Sequence, residues 1–345
     1  MEVRRNLLVD YLVMSYKVSQ EQADCFFRWL TQLLHFPLSE AESIRSYYGM
    51  PSCYYYMGIK LHYSNELIVL DMSGKGCRAC EQLNPGFDWY EFLYLFNDGL
   101  TRPIKDSDGK LSVHISRIDV ACDLLGNERM TLPFLQKYVM QDKFICKSTY
   151  HTCVIGNKEM AIYFGSPRSD RRLRIYDKAM EQGAEGPWVR FEFQLRNDNA
   201  LSFYLNLSQT CGGNFAECYY GMMHDYLRFT TNPNMHDDHQ SRLVVCRWWK
   251  EFLQGVQKIP QLYLPGNDYD ISNISRVYAR QCASTVRALI QAAEGDLTEI
   301  IDTALAARLN RRQQDALARM EVVRNDADEI TARNTAGILA AIGED

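Results

Sequence analysis

Three short segments of this chain alternate apolar and charged residues with a period of two, and that alternation restricts the fold more than any other feature of the sequence. In 117–124, Ile118, Val120, Cys122 and Leu124 fall on one side of an extended chain, and Arg117, Asp119, Ala121 and Asp123 on the other. Segment 190–196, within a strand expected at 188–196, sets Phe191, Phe193 and Leu195 against Arg190, Glu192, Gln194 and Arg196. Segment 172–178 sets Leu173, Ile175 and Asp177 against Arg172, Arg174, Tyr176 and Lys178. Each is a strand with an apolar face for a core and a face of carboxylates and cations that is either solvated or functional. The plainer explanation of the second face is an exposed sheet surface with cross-strand ion pairs.

Around these strands the pattern is mixed. Further strands are expected at 7–16, 54–63, 66–72 and 161–164. Helices are expected at 19–34, where Ser19 and Gln22 form a capping box, and at 87–96, 131–140, 199–207, 215–227 and 245–256. Helical spacing continues through 272–293 and 296–333. The expected fold is therefore α+β: a curved antiparallel sheet of two similar halves with helices on its outer face, and a helical C-terminal region. The motif Arg117-Ile118-Asp119 echoed by Arg190-Phe191-Glu192 suggests the two halves. The division expected is 1–270 for the core and 271–345 for the helical region.

Several classes are excluded or disfavoured. With 345 residues, 46% hydrophobic and 23% charged, the chain has material for a real core and is not a disordered protein. No run approaches the ~20 apolar residues of a membrane helix, and the N-terminus has no signal-peptide pattern, so a cytoplasmic protein with no membrane partner is expected. The 11 cysteines are scattered and read as reduced thiols. Cys77-x-x-Cys80 lacks the second pair that a structural zinc site needs. Ser73-Gly74-Lys75-Gly76 lacks the spacing of a phosphate-binding loop and reads as a hairpin or DNA-touching loop. His114-x-x-Arg117 lies in a strand pattern, unlike the helical site of tyrosine recombinases. His236-Asp237-Asp238-His239 reads as a polar turn.

The net charge of −5 argues against a nucleic-acid partner, but it hides a local reversal: 168–178 carries five basic residues against two acidic. Tyr176 stands among them. A phenol attacks phosphate poorly unless positive charge favours the phenolate, and Arg172, Arg174 and Lys178 are placed to supply it and to grip a DNA backbone. Asp119 and Glu192 offer oxygen ligands for Mg²⁺ or Mn²⁺. Together these residues have the chemistry of a DNA nickase.

The sequence Arg174-Ile175-Tyr176-Asp177-Lys178 with Glu181, and with Arg117-x-Asp119-x-x-x-Asp123, Arg190-x-Glu192, 72–78 and 165–169 in order, resembles the Rep_trans family of rolling-circle replication initiators and the related MobT-type relaxases of conjugative transposons. The likeness runs over about 47–293. It implies an enzyme of a plasmid, phage or integrative element that nicks an origin, links Tyr176 to the 5′-phosphate and frees a 3′-OH. It implies metal ligands at Asp119 and Glu192, with Asp123 and Glu181 as further candidates. Phosphate contacts are expected from Arg117, Arg168, Arg172, Arg174, Lys178, Arg190 and Arg196. Origin DNA is the implied partner, with a host helicase or coupling protein and a second copy of the chain. The alternative is a non-catalytic origin-binding protein that uses the same cations and tyrosines as backbone and stacking contacts.

Overall fold

A computed structural model of the chain describes residues 3–96, 113–156, 160–233, 242–262, 278, 283–293 and 296–308. The chain divides into two compact units, Met1–Tyr263 and Leu264–Asp345. The boundary expected at 270 lies outside the described residues.

The first unit is built on one ten-stranded sheet whose described neighbours are all antiparallel. In chain order its strands are β1 (Arg4–Lys17), β2 (Glu42–Ser43), β3 (Ser52–Tyr56), β4 (Ile59–Tyr63), β5 (Leu67–Met72), β6 (Val113–Leu125), β8 (His151–Ile155), β9 (Met160–Phe164), β10 (Arg171–Asp177) and β11 (Trp188–Arg196). A separate two-stranded ribbon joins β7 (Phe144–Cys146) to β12 (Leu227–Phe229).

The spatial order is β2-β3-β4-β5-β1-β6-β11-β10-β9-β8. This is two five-stranded halves with the same plan. Each starts at the centre (β1 or β6), passes through a helix, then returns strand by strand from the edge to the centre. The central β1 and β6 pair antiparallel over nearly their whole length, so the halves meet back to back. The expected antiparallel sheet of two similar halves with helices is what the chain forms.

The apolar positions of the alternating strands form one face, with Val9, Leu12, Ile118, Val120, Phe191, Phe193, Leu173 and Ile175 all buried. Helices α1 (Gln20–Leu33), α6 (Asp198–Leu205), α7 (Phe215–Tyr226) and α8 (Arg247–Phe252) cover it with Phe27, Phe203, Tyr219 and Trp249. Tyr219 anchors α7 by donating to the Phe191 carbonyl at 2.7 Å, which satisfies a buried hydroxyl. Further helices described in this unit are α2 (Gly74–Leu83), α3 (Trp89–Tyr94), α4 (Leu132–Met140) and α5 (Lys178–Gln182), with a π-helical turn at Asn206–Thr210. In the second unit the described residues form α9 (Ala283–Ala292) and α10 (Thr298–Ala306).

Three local expectations are corrected, and two strands had none. The run 54–63 is a hairpin, because Met57 (φ 46°) and Gly58 (φ 91°) turn the chain between β3 and β4. Ser19 precedes α1 but its side chain makes no capping bond. Segment 73–76 is the start of α2, with Ser73 Oγ accepting from the Gly76 amide. Strands β7 and β8 carry no period that would announce them.

Glycine at 76 is required by close approach: a Cβ there would sit 2.3 Å from the Gly58 carbonyl oxygen. Neither backbone can yield cheaply, so Gly76→Ala is expected to lower stability by about 1–3 kcal/mol in urea unfolding. A variant as stable as the parent would mean that the 57–58 turn moves freely against α2. The ten described cysteines are free thiols, Cys77 and Cys80 among the buried ones.

Candidate active site on the polar face of the sheet

The second face of β6, β11 and β10 brings the three alternating motifs together. The register places Asp123 beside Arg190 and Arg190 beside Tyr176, and on the next rung Ala121 beside Glu192 and Glu192 beside Arg174. Asp119 faces Gln194 one rung further on. Because side chains repeat every second residue, all of these project from one side of the sheet.

Tyr176 is 3% exposed and donates its hydroxyl to Glu192 Oε2 at 3.0 Å. The expectation that nearby cations favour its phenolate is overturned. Burial, then the Glu192 charge, push the phenol above its ordinary pKa, and Arg190 and Arg174 pull the other way without prevailing. The geometry explains this: the Arg174 guanidinium lies over the ring, 3.9 Å from its centroid, whereas the oxygen meets a carboxylate.

Glu192 is itself buried, and its pKa is raised to about 7 by burial and by the charges of Asp119 and Asp10. In the metal-free protein this carboxylate therefore holds a proton more tightly than an ordinary one, and it accepts the hydrogen bond of the phenol. Asp119 is also pushed up by burial, although Arg117 grips both of its oxygens at 2.9 and 2.5 Å.

Asp10 was not singled out in the sequence. A β-bulge between Val9 and Tyr11 makes it the extra residue of β1, and a bulge re-aims its side chain. Asp10 Oδ1 meets Arg190 Nη1 at 2.8 Å, and Gly74 at the start of α2 lies close enough that a Cβ would come within 2.8 Å of the same oxygen. An aspartate in the middle of an apolar strand was the available signal.

The other candidates are partly engaged. Asp123 is held by Arg190 through both oxygens, at 2.6 and 2.8 Å, and both residues are buried. This is a cross-strand ion pair of the plainer kind, placed inside rather than on the surface. Glu181 on α5 pairs with Lys178, whose ammonium also lies 5.5 Å from the Tyr176 ring centroid. Arg196 donates to the Pro167 and Ser169 carbonyls and so fixes the 167–169 turn, which presents an exposed Arg168. Arg172 lies over the Tyr163 ring at 4.1 Å. His236 and His239 lie outside the described residues.

Among the described residues no three His, Cys, Asp or Glu side chains gather closely enough to hold a metal ion by themselves. The donor set nevertheless fits a hard cation. Asp119 and Glu192 are two buried carboxylates on one face, Glu192 raised first by burial and then by the Asp119 and Asp10 charges, and an ion of the Mg²⁺ type takes one or two carboxylates and completes its shell with water and substrate phosphate.

Residues 113–305, which include all three motifs, match Rep_trans, the replication initiation factor family. The chain belongs to that family. Its fold agrees: a rolling circle replication initiator protein from Geobacillus stearothermophilus superposes with a TM-score of 0.59 over 75% of this chain and 100% of that one, at 23% sequence identity. A Bacillus subtilis (strain 168) protein named "Putative DNA relaxase NicK" is 25% identical over 342 residues, 89% of this chain and 88% of that protein. The family match thus covers the strands that carry Asp119, Tyr176 and Glu192, and Asp10 on β1 lies before it. No helix among the described residues is long and apolar enough to cross a membrane.

Proposed function

We propose that this member of the family nicks one strand of an origin by tyrosine transesterification, with Tyr176 as nucleophile and Glu192 as its base. The observation that carries the reading is the 3.0 Å hydrogen bond from the Tyr176 hydroxyl to the buried carboxylate of Glu192. Tyr176 Oη bonds to the scissile phosphorus, its proton passes to Glu192 Oε2, and the bond to the 3′ oxygen of the preceding nucleotide breaks. That oxygen takes a proton from solvent. The products are a 5′-phosphotyrosine and a free 3′-OH, and attack by a 3′-OH reverses the linkage.

Asp119 and Glu192 would hold a divalent ion, with the Asp10 charge nearby; when bound, it stabilises negative charge that develops on the phosphate. Arg174 and Lys178 beside the ring, with Arg172 and Arg168 further along the strand and turn, are the proposed phosphate contacts. Arg190 and Asp123, which satisfy each other, are proposed as the support that holds β6 to β11. The nicking core is proposed to span 1–270 and the helical region 271–345, in a cytoplasmic protein of a plasmid, phage or integrative element.

The test uses supercoiled DNA carrying the element's own origin, with Mn²⁺ or with EDTA, followed by denaturation and mapping of the protein-linked strand. A nicked strand attached to the peptide that carries Tyr176, formed with Mn²⁺ and absent with EDTA, is the expected result. Specific binding with no nick under any condition would replace this reading with the non-catalytic origin binder. Nicking undiminished in EDTA would remove the metal from it.

A further inference from the structure

The half of the sheet opposite Tyr176 carries its own polar cluster, which the proposed chemistry does not use. After β2 the chain crosses over β4 and β5, and Ser46, Tyr47 and Tyr48 settle on that face. Ser46 bonds His62 at 2.9 Å, and Tyr47 donates to Asp71 Oδ2 at 2.8 Å while accepting from Lys60 Nζ at 2.5 Å. Both tyrosine rings make T-shaped contacts with the buried His62, with centroids 4.9 and 4.7 Å away, and they lean on each other at 5.2 Å. These contacts and the Tyr47 hydroxyl bonds hold the pair against the sheet. Tyr47 and Tyr48 are nevertheless 59% and 46% exposed, which is unusual for two adjacent aromatic residues locked in place.

The pair also belongs to the same face as the nucleophile. Asp71 lies on that face of β5, opposite Val13 of β1, and Val13 lies opposite Arg117 of β6. The Arg117 guanidinium sits 4.2 Å over the Tyr11 ring and grips Asp119, beside which the Glu192 and Tyr176 pair begins. Acidic, aromatic and cationic side chains, with Val13 among them, therefore line this face between Tyr47 and Tyr176. From β10 through β11, β6 and β1 to β5 is four strand spacings, about 19 Å, or at most about six nucleotides at duplex spacing.

A nicking enzyme must hold unpaired nucleotides beside the scissile phosphate, and a rigid exposed aromatic pair with a lysine at its edge is what binds bases without needing their sequence. We propose that Tyr47 and Tyr48 form a base-stacking subsite for single-stranded DNA that flanks the scissile phosphate. The assignment rests on the nicking function proposed above. Lys60 and the exposed Arg45 supply the backbone charge there, and Asp71 positions the Tyr47 ring.

Binding is measured by fluorescence anisotropy in a Tyr176→Phe background, so that cleavage plays no part, with an oligonucleotide spanning the nick site and with versions trimmed from either end. Replacing both residues by alanine is expected to weaken binding of the full oligonucleotide roughly tenfold or more. Replacing both by phenylalanine, which keeps the rings, should leave it within about twofold. Trimming the flank that reaches the pair should abolish the difference. In parallel, 5-iodouracil placed at each position should photo-cross-link to the peptide carrying Tyr47 and Tyr48 in the protein with the pair intact. Alanine variants that bind as tightly as the parent, or cross-links that fall only on other peptides, would overturn the subsite while leaving nicking intact. A parent protein that binds no origin strand would overturn the subsite and the nicking function together.

Discussion

Tyr176→Phe is expected to reduce nicking of origin DNA by a factor on the order of 10⁴ or more, because no other group replaces the bond that the phenol oxygen forms with phosphorus. The ring should stay where it is. Arg174 still lies over its face, and Phe fills the same buried space on β10. What is lost inside the protein is one hydrogen bond to Glu192, and the cost is expected to be about 1–2 kcal/mol, since a buried carboxyl near neutrality can take up a proton instead of standing unpaired. Origin binding should be close to that of the parent. The measurements are gel analysis of supercoiled plasmid, the protein-linked strand after denaturation, and urea unfolding. Residual nicking that still leaves a covalent protein-DNA species would shift the nucleophile elsewhere, and Tyr11, opposite Asp119 on the same face, would be examined next.

The strands that build this site were legible because burial on one face alone leaves a period of two. A strand at about 188–196 could be located, and Asp119, Tyr176 and Glu192 could be assigned a common face before any pairing was known. What could not be read was anything that depends on contact across strands. Two positions to either side of Tyr176 stand the cations Arg174 and Lys178, which suggests a lowered pKa; the residue that meets its oxygen is Glu192, sixteen positions away, and the shift is upward. Asp10 was hidden for a related reason. A bulge breaks the alternation of β1, so strict period counting assigns that residue to no useful face. The 57–58 turn was hidden inside an aromatic run, and with it the hairpin that carries Lys60 and His62. Tyr47 and Tyr48 carry no motif; their interest arises only from being exposed while packed on His62 and on each other.

Glu192→Gln separates activity from stability, and the two are expected to move in opposite directions. The amide still accepts from the Tyr176 hydroxyl but can neither take its proton nor offer a charged ligand to the divalent ion, so nicking should fall by at least the roughly 10²- to 10⁴-fold that a general base contributes. Stability responds to the sign of the pKa shift. Burial and the Asp119 and Asp10 charges raise the Glu192 carboxyl to about 7, above its ordinary 4.5, so the folded chain binds this proton more tightly than the unfolded chain. The folded state is therefore favoured at low pH. It loses that advantage as pH rises from about 4.5 through 7, and above pH 7 the charged carboxylate costs on the order of 3 kcal/mol. Glutamine carries no such cost. In EDTA, so that no cation offsets the charge, the variant should be more stable than the parent by about 1–3 kcal/mol at pH 8, with the gap closing toward pH 5. Urea unfolding at the two pH values reads this directly. A parent whose stability relative to the variant does not change between pH 5 and 8 would mean that Glu192 is charged at ordinary carboxylate pH. The Tyr176 proton would then pass to a much weaker base. A variant that nicks at the parental rate would remove Glu192 from the chemistry altogether. A more stable protein that has lost its reaction is the expected pair of outcomes, because a site that keeps a buried carboxylate for its proton affinity gives up folding stability to do so.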